Sequence, residues 1–561
     1  MMFDGLPAGA SAEELTRVAA GGAPAVRSVV VVVSAGRIYR WVSDVIAAID
    51  ATRVARVVAV VSVPDDRASA PARLADPLLF AYAWADRTVF GRQGDPTRLV
   101  EPKRLAELLG GTPESVPHPD LVIRLDGGEG SLAPWDGVGQ ETWALIHGAD
   151  LDPVDRPDRL AMAPGGPEML LGRNLTISRL VAHREPHAVV LGQAVSRVDP
   201  VSMTRGARGH LRKLPGLVAR ALERREWAQQ PAGPSSAPED GPPRERSQLD
   251  TQTIAAGLAR VPTGYVRRLV ARTVNPEVWA VAVFERDSRS PLQPPTGARF
   301  LVPPAGVYWA DPFPVREPDR DLLFIEEFVH ATRRGRLAVV ELDDSPRGWR
   351  SVSTILELST HLSYPFVFEW AGRWYLLPEQ AETGALELYV AERFPTSWRW
   401  HCTVLDVPAS DATIAQIDGH WWMFAAIAVA GSAAADELHL FHASAPVGPW
   451  QPHPLNPVVS DVRTGRPAGR LVTIDGTWYR IAQDGERSYG HSIVIIRIDE
   501  LGPEAYRETI VDRIGPDWAP GLKATHTMNE DGGLVAVDAI RSSRRAGLPV
   551  SRRVRRGVRS R

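Results

Sequence analysis

The chain is short of cysteine. Cys402 is the only one in 561 residues, so no internal disulfide can form and the fold must be held by packing. Charge of one sign is missing too: 64 Lys+Arg against 67 Asp+Glu leave a net −3, which gives no global pull toward nucleic acid. Long apolar runs are absent. The densest, Val29 to Val33, is far too short to span a bilayer. The first residues, Met1-Met-Phe-Asp-Gly-Leu-Pro, lack the basic and apolar regions of a signal peptide, so the expected location is the cytoplasm. No phosphate-binding glycine loop, His-Glu-x-x-His, cysteine cluster or serine nucleophile elbow occurs. These absences give no motif for a metal or cofactor, and none is expected.

What is present is a repeat. Short phrases open at Asp311, Tyr364, Asp411, Arg466 and His526, roughly 47 to 60 residues apart. Each is a polar residue opening an apolar strand, a Gly- or Asp-rich turn, and an aromatic or apolar strand. Such units read as propeller blades, because one small sheet cannot bury both its faces alone. Ahead of them, Ser28 to Ala35 and Arg56 to Val63 read as buried strands around a helix from Ile38 to Ile49, a βαβ unit and hence an α/β domain. Asp120 to Leu125, Thr142 to His147 and Leu175 to Leu180 add strands, and Arg208 to Arg224 reads as one basic amphipathic helix.

The expected organisation is multidomain: a flexible start (1–26), an α/β Rossmann-like domain (27–226), a Pro-rich linker (227–252), a bridging helix and outer strand (253–294), an all-β five-bladed propeller (295–541) and a basic tail (542–561). The tail reads as a solvated segment or as a contact for an anionic membrane; nucleic acid is not expected as a partner.

Two resemblances refine this. Asp120-Leu-Val-Ile, Trp143-Ala-Leu-Ile-His, Pro164-Gly-Gly-Pro and Leu175-Thr-Ile-Ser resemble the formyltransferase fold of methionyl-tRNA formyltransferases. The likeness implies His147 as the catalytic histidine. Leu145 stands where the family has an asparagine, and the family's later Asp-Thr-Gly turn has no match. His147 is thus either a core histidine or the relic of a formyl-transferring site.

The second resemblance covers about residues 300 to 540. Ala310-Asp-Pro-Phe, His361-Leu-Ser-Tyr-Pro-Phe, Leu377-Pro-Glu, Asp411-Ala-Thr-Ile, Arg466-Pro-Ala-Gly-Arg, Tyr479-Arg-Ile-Ala-Gln-Asp, Tyr489-Gly and Thr525-His-Thr-Met-Asn recur in an order similar to the N-terminal domain of glucosamine inositolphosphorylceramide transferases. More distantly the segment resembles family 43 glycoside hydrolases. That likeness implies Asp311 as general base and Asp411 as a tuner of pKa and holder of a sugar hydroxyl. Inverting hydrolysis also needs a protonated carboxyl about 6.5–9.5 Å across the channel. Arg466 stands at the family's acid position, leaving Glu379 as the replacement, with Glu327 and Asp484 behind it.

His361, Tyr364, Arg466, Gln483 and His526 are the candidate ligand-binding residues. The Arg466, Arg470 and Arg480 group matches a phosphate or carboxylate, or is paired to Asp461, Asp475 or Asp484. Three readings follow: hydrolysis or transfer at a glycosidic bond, non-catalytic binding of a glycan or sugar phosphate, and formyl or acyl transfer to an amino sugar by the first domain. Trp374, Trp421, Trp422, Trp478 and Tyr479 read as inter-blade core in preference to sugar platforms.

Overall fold

The computed structural model describes residues 26–34, 38–63, 76–92, 95–100, 118–125, 141–148, 164, 166–184, 187–224, 251–274, 277–286, 297–428 and 436–542. The flexible start, most of the linker and the basic tail lie outside these residues. Among them, no helix is long and apolar enough to cross a membrane.

The β-branched run at the start does form a buried strand, β1 (Arg27–Ser34). It is the second strand of a six-stranded sheet with β2 (Ala55–Val63), β3 (Leu121–Arg124), β4 (Glu141–His147), β5 (Leu175–Arg184) and β6 (His187–Arg197), in the order β2-β1-β3-β4-β5-β6. The first four are parallel and the last two antiparallel. Val29 to Val32 are fully buried, as expected of a parallel strand covered on both faces. Helices follow as α1 (Arg40–Ala51), α2 (Asp76–Phe90), α3 (Gly166–Leu171), α4 (Met203–Leu211), α5 (Leu214–Glu223) and α6 (Thr251–Val274). The single helix expected from Arg208 to Arg224 is two, broken at Arg212–Lys213. Pro215 opens the second, where its missing N–H costs nothing; inside a continuous helix it would delete a bond and clash.

Five sheets, each with a path of four hydrogen-bonded strands, form the propeller. The first four blades run in chain order, from Val307–Arg316 on the axis of the first to Tyr506–Ile514 on the rim of the fourth. The fifth is shared between two distant parts of the chain. Leu522–Asp531 and Leu534–Ser542 form its inner half; Glu277–Glu285 pairs beside the latter over its whole length, and Arg299–Phe300 completes the blade. Ring closure is therefore by main-chain hydrogen bonds between residues some 250 apart. The alternating Glu-Val-Trp-Ala-Val-Ala-Val-Phe segment is thus the third strand of that blade, one step in from the rim. The aromatics of the second strands pack as core: Trp421 and Trp422 are buried, and Trp374 stacks on Phe394 with centroids 4.3 Å apart.

The α/β domain is docked on the propeller. The β6 edge meets the loop between the third and fourth blades, with Val462 N donating to Val195 O at 3.2 Å. Beneath it Lys213 reaches from the turn between α4 and α5 to Asp436, Nζ to Oδ2 at 2.7 Å, with side chains 0% and 5% exposed.

Candidate functional site

The repeated polar residue owes its direction to a repeated backbone irregularity. In the first, second, third and fifth blades the pairing of the innermost strand slips, leaving Asp311-Pro312, Tyr364-Pro365, Asp411-Ala412 and His526-Thr527 as bulges. A bulge bends its strand and re-aims a side chain. In three of them the first residue is left-handed, with φ of 47° at Asp311, 46° at Tyr364 and 50° at Asp411. Non-glycine residues there cost roughly 1–2 kcal/mol each, so something must hold them.

What holds them is the neighbouring blade. Asp538, in the fifth blade, accepts from Asp311 N at 2.9 Å. Asp311 in turn accepts from Tyr364 N at 3.1 Å. Glu379 accepts from Asp411 N at 3.1 Å. Asp411 accepts from Arg466 Nε at 2.5 Å and Gln483 Nε2 at 2.8 Å. Asn529 closes the circle, accepting from Arg470 N at 2.7 Å and donating to Pro312 O at 2.9 Å. Every junction between blades is thus tied at the axis by a polar side chain. The residues the sequence singled out are a hoop as well as a candidate site.

The channel does not run through. Arg470, from the fourth blade, donates to Pro314 O at 3.0 Å and Val367 O at 2.9 Å in the first two, with its guanidinium over Phe313. Buried Tyr364 bonds Thr413 Oγ1 at 2.7 Å beside it. The three arginines are therefore not a free anion cluster, nor are they paired to Asp461, Asp475 or Asp484. Arg466 is held by Asp411 and Glu379, Arg470 by carbonyls, and Arg480 by Glu508 at 2.6 Å. The reserve acids are spent elsewhere: Glu327 accepts from Trp309 and Arg336, and Asp484 pairs with Arg513.

Above this floor lies the mouth. His526 Nδ1 sits 3.2 Å from Asp538 Oδ2 and 3.3 Å from Asp311 Oδ1. Burial opposes charge on this imidazole, but Tyr489, Asp538 and Asp311 outweigh it and hold its pKa well above the ordinary value. Asp311 is pushed up, chiefly by burial. Burial also lifts Asp411, against the pull of Arg466, to about 7. Glu326, buried and 3.4 Å from His361 Nε2, is driven well above the carboxylate range by burial and by Asp311. The Asp311, His526 and Asp538 ligand atoms lie within 4.8 Å of one another, close enough for a metal. Asp538, however, already accepts from Asp311 N, Thr527 N and His526, and a protonated His526 itself supplies the positive charge. This donor set fits an imidazolium better than a metal ion.

A cavity of about 240 Å³ opens over Arg466, Gln483 and Tyr489, and its other wall is Ser196, Arg197, Asp199, Arg205 and His210 of the α/β domain. Of the predicted residues, the structure gathers Asp311, Glu379, Asp411, Tyr364, Arg466, Gln483 and His526 at the axis, with His361 at its edge beside Glu326. His147 is elsewhere, 2% exposed in β4, bonded to Ser178 and edge-on to Trp41. Glu326, Asp538 and Tyr489 escaped the sequence reading as site residues. Asp538 left one signal, a lone charge inside the apolar run Leu534-Val-Ala-Val-Asp-Ala-Ile.

Fold and site together define a five-bladed propeller with a closed axis and a polar mouth. Residues 302–520 match the family model described as glucosamine inositolphosphorylceramide transferase 1, N-terminal. The chain is similar to the protein of that name from Oryza sativa subsp. japonica, 35% identical over 241 residues, covering 42% of this chain and 31% of that protein. It is also similar to the one from Arabidopsis thaliana, 32% identical over 267 residues, covering 43% and 35%. The chain thus spans about a third of the length of these curated relatives. Among solved structures it is similar to a GH43_1 enzyme from Xanthomonas citri (TM-score 0.31, 12% identity, 42% of this chain and 87% of that one). An α-L-arabinofuranosidase from Podospora anserina is another (TM-score 0.32, 12% identity, 42% and 92%). The family match lies within the propeller and says nothing of the α/β domain.

Proposed function

We propose that the mouth of the propeller binds a glycan or sugar conjugate and holds it without cleaving it. Support for the sugar comes from the matched relatives, which are named as glucosamine-transferring proteins, and from the hydroxyl-matching groups around the cavity, Gln483, Tyr489 and Ser196. One observation carries the preference for holding: Arg466 ties Asp411 and Glu379 together. Two of the three carboxylates expected to work are tied to one guanidinium, and Glu379 also accepts from the backbone N–H of Asp411. A general acid must keep a transferable proton within reach of the leaving oxygen, and Glu379 has no such freedom.

Hydrolysis remains the second reading on a specific observation. Asp311 Oδ1 is buried and faces only the His526 imidazole, at 3.3 Å, among the described residues, and burial lifts Asp411 to about 7. Formyl or acyl transfer by the first domain finds less support, because His147 is sealed between Ser178 and Trp41 with Leu145 two residues before it. A glycan array probed with wild type and Tyr489→Ala tests the proposal. Binding that the substitution weakens supports it; no binding to any glycan removes it.

A further inference from the structure

Asp311, Glu326, Glu379, Asp411 and Asp538 bring carboxyls to the axis, and the hoop engages all but one. Asp538 accepts from Asp311 N, Thr527 N and His526. Asp311 accepts from Tyr364 N, Glu379 from Asp411 N and Arg466, and Asp411 from Arg466 and Gln483. Glu326 has only the His361 imidazole, Nε2 3.4 Å from its Oε1, yet its side chain is 9% exposed. A polar group buried to that degree without a full hydrogen bond is costly. The chain supplies no other partner for it among the described residues.

The surroundings of Glu326 are closely fitted. Gly335 N donates to His361 Nδ1 at 2.9 Å, so that nitrogen carries the lone pair. Burial depresses the His361 pKa and keeps the ring neutral, which puts its one N–H on Nε2, facing Glu326 Oε1. A Cβ at Gly335 would stand 2.7 Å from His361 Cε1 and 2.8 Å from Glu326 Oε1, so the pair leans on bare backbone. Burial and Asp311 hold the Glu326 proton in place. With Oε1 opposite an N–H, that proton sits on Oε2, where no described residue accepts it. Phe328 is two residues along and on the same strand face. Its centroid is 6.2 Å from that of His361, and it stacks on Tyr308 at 4.6 Å; both aromatics are half-buried. Apolar walls with a few placed polar groups are the usual make-up of a small-molecule site. A second polar atom of the mouth, His526 Nε2, is likewise buried without a partner.

We infer that Glu326 is a specificity-determining contact of the mouth, its Oε2–H donating to a hydroxyl or ring oxygen of an uncharged sugar residue. Acidic sugars are excluded by like charge. The other four carboxyls converge on the same axis against two cations, Arg466 and His526, while Arg470 is spent on floor carbonyls. A sulfate or uronate beside Glu326 would meet that surplus. The inference rests on the mouth being a sugar site, and adds which group reads the sugar and which class it admits.

One array carrying neutral, uronate-bearing and sulfated glycans tests it, read over a concentration series with the full chain and with Glu326→Gln, Glu326→Asp and Glu326→Ala. Wild type is expected to bind neutral glycans roughly tenfold or more tightly than acidic ones. Glu326→Gln keeps an acceptor for His361 and a donor for the sugar, and should bind within about threefold of wild type. Glu326→Asp, too short to meet both, and Glu326→Ala should each lose roughly tenfold or more. Thermal melts accompany every variant. Should Glu326→Ala fail to melt cooperatively, the comparison of the isosteric Gln with Asp decides. Acidic glycans bound as tightly as neutral ones, or Glu326→Gln losing as much as Glu326→Asp, overturns the inference. So does binding that Tyr489→Ala weakens and no Glu326 variant moves, which leaves the sugar site standing. If wild type binds no glycan, both fall.

Discussion

Arg466 donates to Asp411 across the boundary between the third and fourth blades, Nε to Oδ2 at 2.5 Å, and this contact turns a pair of expected catalytic acids into a clamp. Removing one partner of a buried pair leaves an uncompensated charge, at a cost of about 3–5 kcal/mol. Arg466→Ala should therefore lower stability by about that amount at pH 8. Asp411 titrates near 7 even with the arginine present, and higher without it. Protonation neutralises the orphaned carboxyl, so the loss should shrink as pH falls toward 5. Urea denaturation of wild type and variant at the two pH values checks the sign.

Asp311 separates structure from chemistry. Its Oδ2 receives Tyr364 N, and Asn offers the same acceptor while Ala offers none. Asp311→Asn should lose little stability, and Asp311→Ala should lose about 1–3 kcal/mol through the orphaned amide. Thermal melts of the two variants read the difference.

The histidine buried in β4 predicts acid sensitivity. His147 is held near 4 against an ordinary 6.5 by burial, so the unfolded chain binds more protons between those values. Stability then falls as pH drops from 6.5 to 4, by up to roughly 3 kcal/mol for this residue. His147→Gln should flatten that slope, measured by denaturation at pH 6.5 and 4.5.

Lys213 and Asp436 join the two domains with a buried ion pair. Asp436→Ala should cost about 3–5 kcal/mol and separate one melting transition into two in calorimetry. The paired substitution Lys213→Met with Asp436→Leu should recover most of the loss.

Much of this architecture was legible because periodicity is local. The five strand openings and the buried valines of β1 were visible as patterns. The identities of the axial residues were visible too, since Asp311, Asp411 and His526 interrupt apolar strands. Their use was not. Asp311 serves Tyr364 only once neighbouring blades pack, and Asp538 serves Asp311 only after the ring closes on the blade that holds the strand from residues 277–285. That junction joins residues remote in sequence. Glu326 and Glu327 are adjacent letters that fall on opposite faces of one strand, and which of the two meets the axis is set only by pairing with Val307–Arg316. The docking of β6 over the mouth, which makes Ser196 and His210 part of the cavity, left no sequence signal, because it joins residues remote in sequence, such as Val195 with Val462 and Lys213 with Asp436.

Holding against cleaving is the central distinction, and product analysis of a bound glycan tests it most directly. A glycan that binds wild type in the array would be incubated with the chain at pH 6 to 8 and followed by mass spectrometry. The account predicts that it is recovered intact, with Asp311→Asn binding it as wild type does. Release of a shorter glycan or free sugar by wild type, lost in Asp311→Asn, would contradict it and establish the mouth as a hydrolytic site.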